Sequence, residues 1–167
     1  MTPAPPATPA PTPDGMGVQP VPPRRLAELP SWLLSRAAGV GAGVVGEALA
    51  AHGVRRHHFS VLHALAEGGA VSQAELGRRL GLDRSDLHVV LGELEASGLV
   101  ERSPDVHDRR RNSVDITEPG RARLVELDAA VDSAQRTLLA RLDDAERAEF
   151  RRLLVVLLGD SIPAPAE

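Results

Sequence analysis

Ser72-Gln73-Ala74-Glu75-Leu76-Gly77-Arg78-Arg79-Leu80-Gly81-Leu82-Asp83-Arg84-Ser85 is the stretch that decides the fold. Ser72 with Glu75 three residues on is the pattern of a capping box: the hydroxyl accepts from the Glu75 N–H and the carboxylate reaches back to the Ser72 N–H. Leu76 and Leu80 then share one helix face. Gly81-Leu82-Asp83 supplies a turn and a second capping residue. A second helix is predicted from about Arg84 to Ser97, with Leu87, Leu91 and Leu94 at helical spacing and Gly98 as its stop. Working outward, Leu99–Ser103 and Ser113–Ile116 predict two short strands. The polar run Pro104-Asp105-Val106-His107-Asp108-Arg109-Arg110-Arg111-Asn112 lies between them. Helix, glycine turn, helix and an arginine-tipped hairpin outline a winged helix-turn-helix.

The same residues resemble the MarR family of bacterial transcriptional regulators. The matching segments are Ser72–Leu76, Arg78–Gly81, Asp83–Ser85, Leu94-Glu95 and Gly98–Arg102. The wing Asp108-Arg109-Arg110 and its continuation Ile116-Thr117-Glu118-Pro119-Gly120-Arg121-Ala122 match as well. The resemblance covers roughly 31–160, and the wing with its continuation is its most specific part. It implies a mainly α fold with a small β-hairpin wing: a DNA-binding core at 54–117, flanked by dimerisation helices at 31–52 and 118–159. It implies a homodimer on a palindromic operator in double-stranded DNA, a repressor or an activator, released by a small aromatic or phenolic effector; with neither a secretory segment nor a membrane span expected, the default location is the cytoplasm. The cysteine-based peroxide sensors of the family are excluded here, because the chain has no Cys.

Composition sets further bounds. A chain of 167 residues, 43% of them apolar, is one domain of ordinary size with room for a core. Aromatics are only 2%, so Leu, Val and Ala must fill it. Without Cys there is no disulfide and no thiolate metal site. No apolar run approaches the roughly 18–20 residues expected of a membrane span, so no membrane partner is expected. The Pro-rich N-terminus has no basic segment of the secretory kind. The net charge of −4 is unevenly spread. Residues 54–113 hold nine Arg against nine acids, whereas 114–167 hold seven against eleven, so the acidity lies away from the expected DNA face. Every basic residue of the chain is Arg, each able to grip a phosphate with two N–H groups.

Along the chain, 1–30 carries most of the prolines and is expected to be a disordered tail, and 161–167 a frayed end. Ser31 is placed as the cap of a helix from Trp32 to about His52, with Leu33, Ala37, Val40, Val44 and Ala48 on its packed face. Gly39, Gly41, Gly43 and Gly46 lie inside it and together cost roughly 3–4 kcal/mol against Ala. Either Gly39, Gly43 and Gly46 allow a close dimer contact or room for a ligand, or they record coding drift in a helix held by its neighbours. A helix from about Arg55 to Glu67 follows, with Phe59, Leu62 and Leu65 inward. Thr117 caps a long helix carrying Leu124, Leu127, Val131 and Leu138. Asp143 opens a last helix with Phe150, Leu153, Leu154 and Leu157 as its stripe.

With Leu87, Val90, Leu91 and Leu94 inward, the second helix of the motif points Ser85, Val89 and Gly92 outward, with Asp86, His88 and Glu93 at the flanks. Asp86 suits cytosine N4, Val89 a thymine methyl, His88 guanine, and Ser85 either base type. Family members often carry Arg near 89 and 93; Val89 and Glu93 stand there in this chain. Arg78, Arg79 and Arg84 are candidate phosphate contacts. The resemblance makes Asp108 the brace of Arg110, which enters a narrow minor groove, with Arg109 and Arg111 beside it on phosphates. Trp32, His57 and His58 are candidate effector contacts. His58 and His63 are five apart, a poor spacing for two metal ligands on one helix face, so no metal and no cofactor is expected. There is no Gly-x-Ser-x-Gly elbow, phosphate loop or His-Glu-x-x-His, so no enzyme is expected. The alternative is a winged-helix protein-interaction module with little DNA affinity, which Val89, Glu93 and the net acidity favour.

Overall fold

The computed structural model describes residues 21–104 and 112–159. The helices are α1 (Arg24–Ala27), α2 (Pro30–Ala51), α3 (Arg56–Gly68), α4 (Gln73–Leu80), α5 (Arg84–Ala96), α6 (Glu118–Leu138) and α7 (Asp144–Leu158). The strands are β1 (Val71–Ser72), β2 (Val100–Pro104) and β3 (Asn112–Ile116), in the sheet order β1-β3-β2. The chain forms two units, residues 1–36 and 37–167, that share α2. In the first, the single turn α1 lies inside the segment expected to be disordered, with Arg24 paired to Glu28 at 3.2 Å. The Arg36 guanidinium sits 5.7 Å from the Trp32 ring centre.

Local rules account for most helix ends. Ser72, Asp83, Thr117 and Asp143 each accept a backbone N–H three residues on. At Asp143 the box is complete, with the Asp143 N–H donating to Glu146 at 2.9 Å. Gly81 takes φ 61° and ends α4 in the left-handed region that only glycine enters cheaply. The Ser31 cap is corrected: α2 starts two residues before Trp32, at Pro30, whose fixed φ suits the first helical position, and Leu29 O takes the N–H groups of Trp32 and Leu33.

The core of the second unit is one cluster in which Leu49, Val61, Leu62, Leu65, Leu76, Leu91, Val114 and Leu127 are shut off from solvent. It joins α3, α4, α5, α6 and the sheet. The expected hairpin is in fact three-stranded, because β1 pairs with the far side of β3 (Val71 opposite Val114, Ser72 opposite Ser113). Two residues of β1 carry too little alternation to be seen in sequence.

On α2 only Leu49 is buried; Val40, on the apolar row read from the sequence, is 55% exposed, and Val45 and Leu49 make the core contact. On α7 nothing is buried, and Phe150 and Leu153 of the stripe read from the sequence are exposed, as are Val156, Leu157 and Leu158. The expectation about membrane-length segments is corrected. α2 has 22 residues and a mean hydropathy of 1.3 in its most apolar window, long and apolar enough to cross a membrane by length and composition. Counting only large side chains misses this, because Ala and Gly dilute the polar residues without forming an obvious apolar run.

The Thr117–Gly120 corner locks the wing to α5 and α6. The Thr117 N–H donates to Leu99 O at 3.1 Å, and its hydroxyl donates to Gly98 O at 2.7 Å while accepting from the Gly120 N–H at 3.1 Å. Gly120 is pressed so close that an added Cβ would sit 2.1 Å from Leu99 O and 2.7 Å from Ile116 Cγ1. Because one obstacle is backbone, Gly120→Ala is expected to lower unfolding stability by about 1–3 kcal/mol. Chemical denaturation checks this; an unchanged midpoint contradicts the close packing. Thr117→Ala loses the cap and the link to Gly98, with an expected cost of about 0.5–2 kcal/mol in the same measurement.

Candidate nucleic-acid interface

α5 buries Leu87, Val90, Leu91 and Leu94, none of them more than 4% exposed. That leaves Arg84, Ser85, Asp86, His88 and Val89 on the solvent side, with Val89 53% exposed. Of the residues expected to point outward, Ser85 and Val89 are exposed and Gly92 is half-buried, and the flank residues Asp86, His88 and Glu93 are exposed. Asp83 Oδ1 accepts from the Asp86 N–H and from the Ser85 hydroxyl, both at 2.8 Å. The Asp86 backbone bond, then the Ser85 bond, hold the Asp83 carboxyl below its ordinary range. Since Ser85 gives its proton to Asp83, its remaining lone pairs face outward as acceptors, matched to an exocyclic amine of adenine or cytosine.

Beside this face runs a groove of about 630 Å³, lined by Ser72, Gln73, Gly77 and Arg78 of the first helix and by Asp83, Arg84 and Leu87 at the start of the second. The first turns of α4 and α5 both border it, and the positive helix ends with Arg78 and Arg84 suit a phosphate. The expected capping box at Ser72 is half formed. The Glu75 N–H donates to Ser72 Oγ at 3.3 Å, but the Glu75 carboxylate turns to Arg78 and to Arg79 Nε, the latter at 2.8 Å. The Arg79 bond is the main reason the Glu75 carboxyl lies below its ordinary range. The charge attraction of two guanidiniums outbids one backbone N–H. Arg78 remains 76% exposed and can reach a phosphate. Arg79 instead lies across the end of α3, so close to Gly68 that a Cβ there would be 2.5 Å from its Nη1.

The wing strands carry the register Val100↔Ile116 through Pro104↔Asn112. Asp108, Arg109, Arg110 and Arg111 lie outside the described residues. Arg102 of β2, which sequence reading did not single out, reaches back to Glu95 of α5 at 3.4 Å. On the other flank of α5, Glu93 binds the Arg55 guanidinium and accepts from His58 Nε2 at 2.6 Å. Both partners lie more than thirty residues upstream, so no local pattern announces them. His63 is likewise spent on Asp128, at 2.7 Å.

The three candidate effector contacts separate. Trp32 lies in the first unit, under Arg36. His57 is exposed and lines a groove of about 450 Å³ with Arg55, Arg56, Asp86, Val89 and Val90. His58 is 8% exposed and uses both ring nitrogens inside the protomer, with nothing left for a ligand. Among the described residues, no three His, Asp or Glu side chains converge as a metal site would require.

The same arrangement recurs in known proteins. A profile described as MarR family matches residues 52–111. The HTH-type transcriptional repressor Rv2887 of Mycobacterium tuberculosis is 33% identical over 129 residues, covering 77% of this chain and 93% of the relative. A transcriptional regulatory protein for the hcr operon of Thauera aromatica is 33% identical over 114 residues, covering 68% and 69%. Rv2887 solved in complex with DNA superposes with a TM-score of 0.70 at 30% identity, over 78% of this chain and 98% of that one. CouR of Rhodococcus jostii, bound to p-coumaroyl-CoA, gives 0.68 at 32% identity, over 87% and 100%. The helix-turn-helix, the wing strands and the flanking helices thus all fall inside one shared fold, and the chain belongs to the MarR family of transcriptional regulators.

Proposed function

We propose that this regulator binds a palindromic operator as a homodimer, represses the promoter it covers, and is released by a small aromatic ligand. The observation that carries this is α5: one face sealed in the core, the opposite face exposed with Ser85, Asp86, His88 and Val89, and the Arg78–Arg84 groove beside it. A helix so mounted enters a major groove while the groove beside it receives the backbone. Arg109, Arg110 and Arg111 are proposed for the wing contacts, with Asp108 bracing Arg110. The protein acts by binding rather than by catalysis, in the cytoplasm, with no metal or cofactor.

The exposed apolar residues of α2 and α7 support the homodimer, since faces of this kind on a DNA-binding chain call for a protein partner. Among the described residues, no atom outside the neighbouring helix backbone comes within 4 Å of a Cβ placed on Gly39, Gly43 or Gly46, which supports a second chain beside them. A dimer also sets two α5 helices about one helical turn apart, roughly 34 Å, to meet successive major grooves. For the effector, Trp32 and His57 remain candidates. A ligand releases the protein only if it binds more tightly to the dimer geometry that misses the groove spacing.

The protein-interaction alternative draws on Val89, Glu93 and the acidic balance. Glu93 no longer argues for it, because its charge is held by Arg55 and His58 rather than turned toward DNA.

Binding is tested by selection from a random duplex pool, followed by titration at several salt concentrations. Arg84→Ala is expected to weaken all duplexes alike and to reduce the salt slope by about one. Arg110→Ala should cost about 1–3 kcal/mol at the selected site and alter A·T preference. Failure of the wild-type chain to bind any duplex in dilute buffer sinks the DNA reading and leaves the interaction module. Gly43→Leu is expected to shift the monomer–dimer balance toward monomer in sedimentation; an unchanged balance removes Gly43 from the dimer contact.

A further inference from the structure

The polar cluster Arg55–His58–Glu93 borders the exposed face of α5, with Arg55 lining the groove beside Asp86 and Val89, and it joins the first turn of α3 to the flank of α5. His58 stands three residues into the helix that Arg55 begins, and its Nδ1 accepts the Arg55 backbone N–H at 3.2 Å. This is the place Glu takes in an ordinary capping box. With Nδ1 an acceptor, the ring proton is on Nε2, which donates to Glu93 Oε2 at 2.6 Å. The Arg55 side chain closes the cluster on the same carboxylate oxygen. The Arg55 bond first, then the His58 bond, hold the Glu93 carboxyl below its ordinary range. The His58 ring is buried, while the Glu93 side chain that it meets is 46% exposed.

On the opposite flank, Glu95 meets Arg102 of β2 at 3.4 Å. Residues two apart on a helix point to nearly opposite sides. Glu93 and Glu95 therefore tether α5 to α3 on one side and to the sheet on the other. The apolar seam beneath them decides which face of α5 is buried, but the attraction behind it has no preferred direction and leaves the fine adjustment of roll to other contacts. Hydrogen bonds and ion pairs are directional and supply it.

From these contacts we infer that Glu93 is a positioning residue for operator recognition: through His58 and Arg55 it sets the roll of α5, and hence the aim of Ser85, Asp86 and Val89 at the bases. The inference rests on α5 entering the major groove. Glu93 touches no base. It occupies a place where family relatives often carry Arg, and in this chain that place is given to orientation.

The test compares wild type, Glu93→Ala, Glu93→Gln, His58→Gln and the Glu93→Ala/His58→Gln double variant. Each is titrated with the duplex selected by wild type and with random duplex at one salt concentration, and its thermal midpoint is recorded. Glu93→Ala is expected to lose about tenfold in affinity for the selected duplex while random-duplex affinity stays within about twofold, because phosphate contacts do not depend on helix roll. Glu93→Gln, whose amide oxygen still accepts from His58 Nε2, should recover most of the loss. The double variant should lose no more than Glu93→Ala alone, since both changes open one cluster. Selection from a random pool by Glu93→Ala should return the same site with preference weakened across the α5 positions. The inference is overturned if the selected-to-random ratio is unchanged in Glu93→Ala. It is also overturned if both affinities fall in step with the thermal midpoint. Loss of preference at a single base pair, with His58→Gln at wild-type ratio, would make Glu93 a direct reader instead. If wild type binds no duplex, the DNA reading itself fails and takes this inference with it.

Discussion

Leu91 has no solvent exposure, and Leu87, Val90 and Leu94 beside it have almost none. An amphipathic helix can offer one side to a ligand only when the other side has somewhere dry to go. In this chain the dry place is built by Val61, Leu62 and Leu65 of α3, Leu76 of α4 and Val114 of the sheet. The exposed face of α5, proposed above to meet DNA, follows from that seam. It turns Ser85, Asp86, His88 and Val89 outward, and it brings the starts of α4 and α5 together around the groove that holds Arg78 and Arg84.

Around the seam, polar contacts supply what apolar packing cannot. Thr117 ties the return strand of the wing to the carbonyls at the end of α5, and Gly120 lets α6 start within touching distance of Leu99. Glu95 with Arg102, and Glu93 with Arg55 and His58, hold the flanks of α5. Exposed ion pairs are individually weak. Their value here lies in direction: each one adds a specific geometry to the orientation that the buried seam sets.

The outer helices show the opposite condition. Among the described residues, nothing covers several apolar side chains of α2 and α7, and Gly39, Gly43 and Gly46 of α2 have open space beside them. A surface of this kind is what a homodimer would cover. The same surplus explains why α2 passes a membrane-length test by composition while belonging to a DNA-binding family. Apolar surface that looks for lipid and apolar surface that looks for a second helix have the same hydropathy.

Signals that act within a turn or two of chain were legible from the residues alone. The caps at Ser72, Asp83, Thr117 and Asp143, the stops at Gly81 and Gly98, the strands of the wing and the inward row of α5 all depend on neighbours a few residues away. So the winged-helix class and the outward face of its second helix are written in local pattern. What only the folded chain decided involves partners distant in sequence. β1 is a strand because β3 comes to it, Glu75 leaves the box at Ser72 for two arginines, Arg79 is laid over Gly68, and His58 is consumed by Glu93. Those choices are competitions between contacts of similar strength, and the winner is set by which groups tertiary packing brings within hydrogen-bond distance, which no local periodicity encodes.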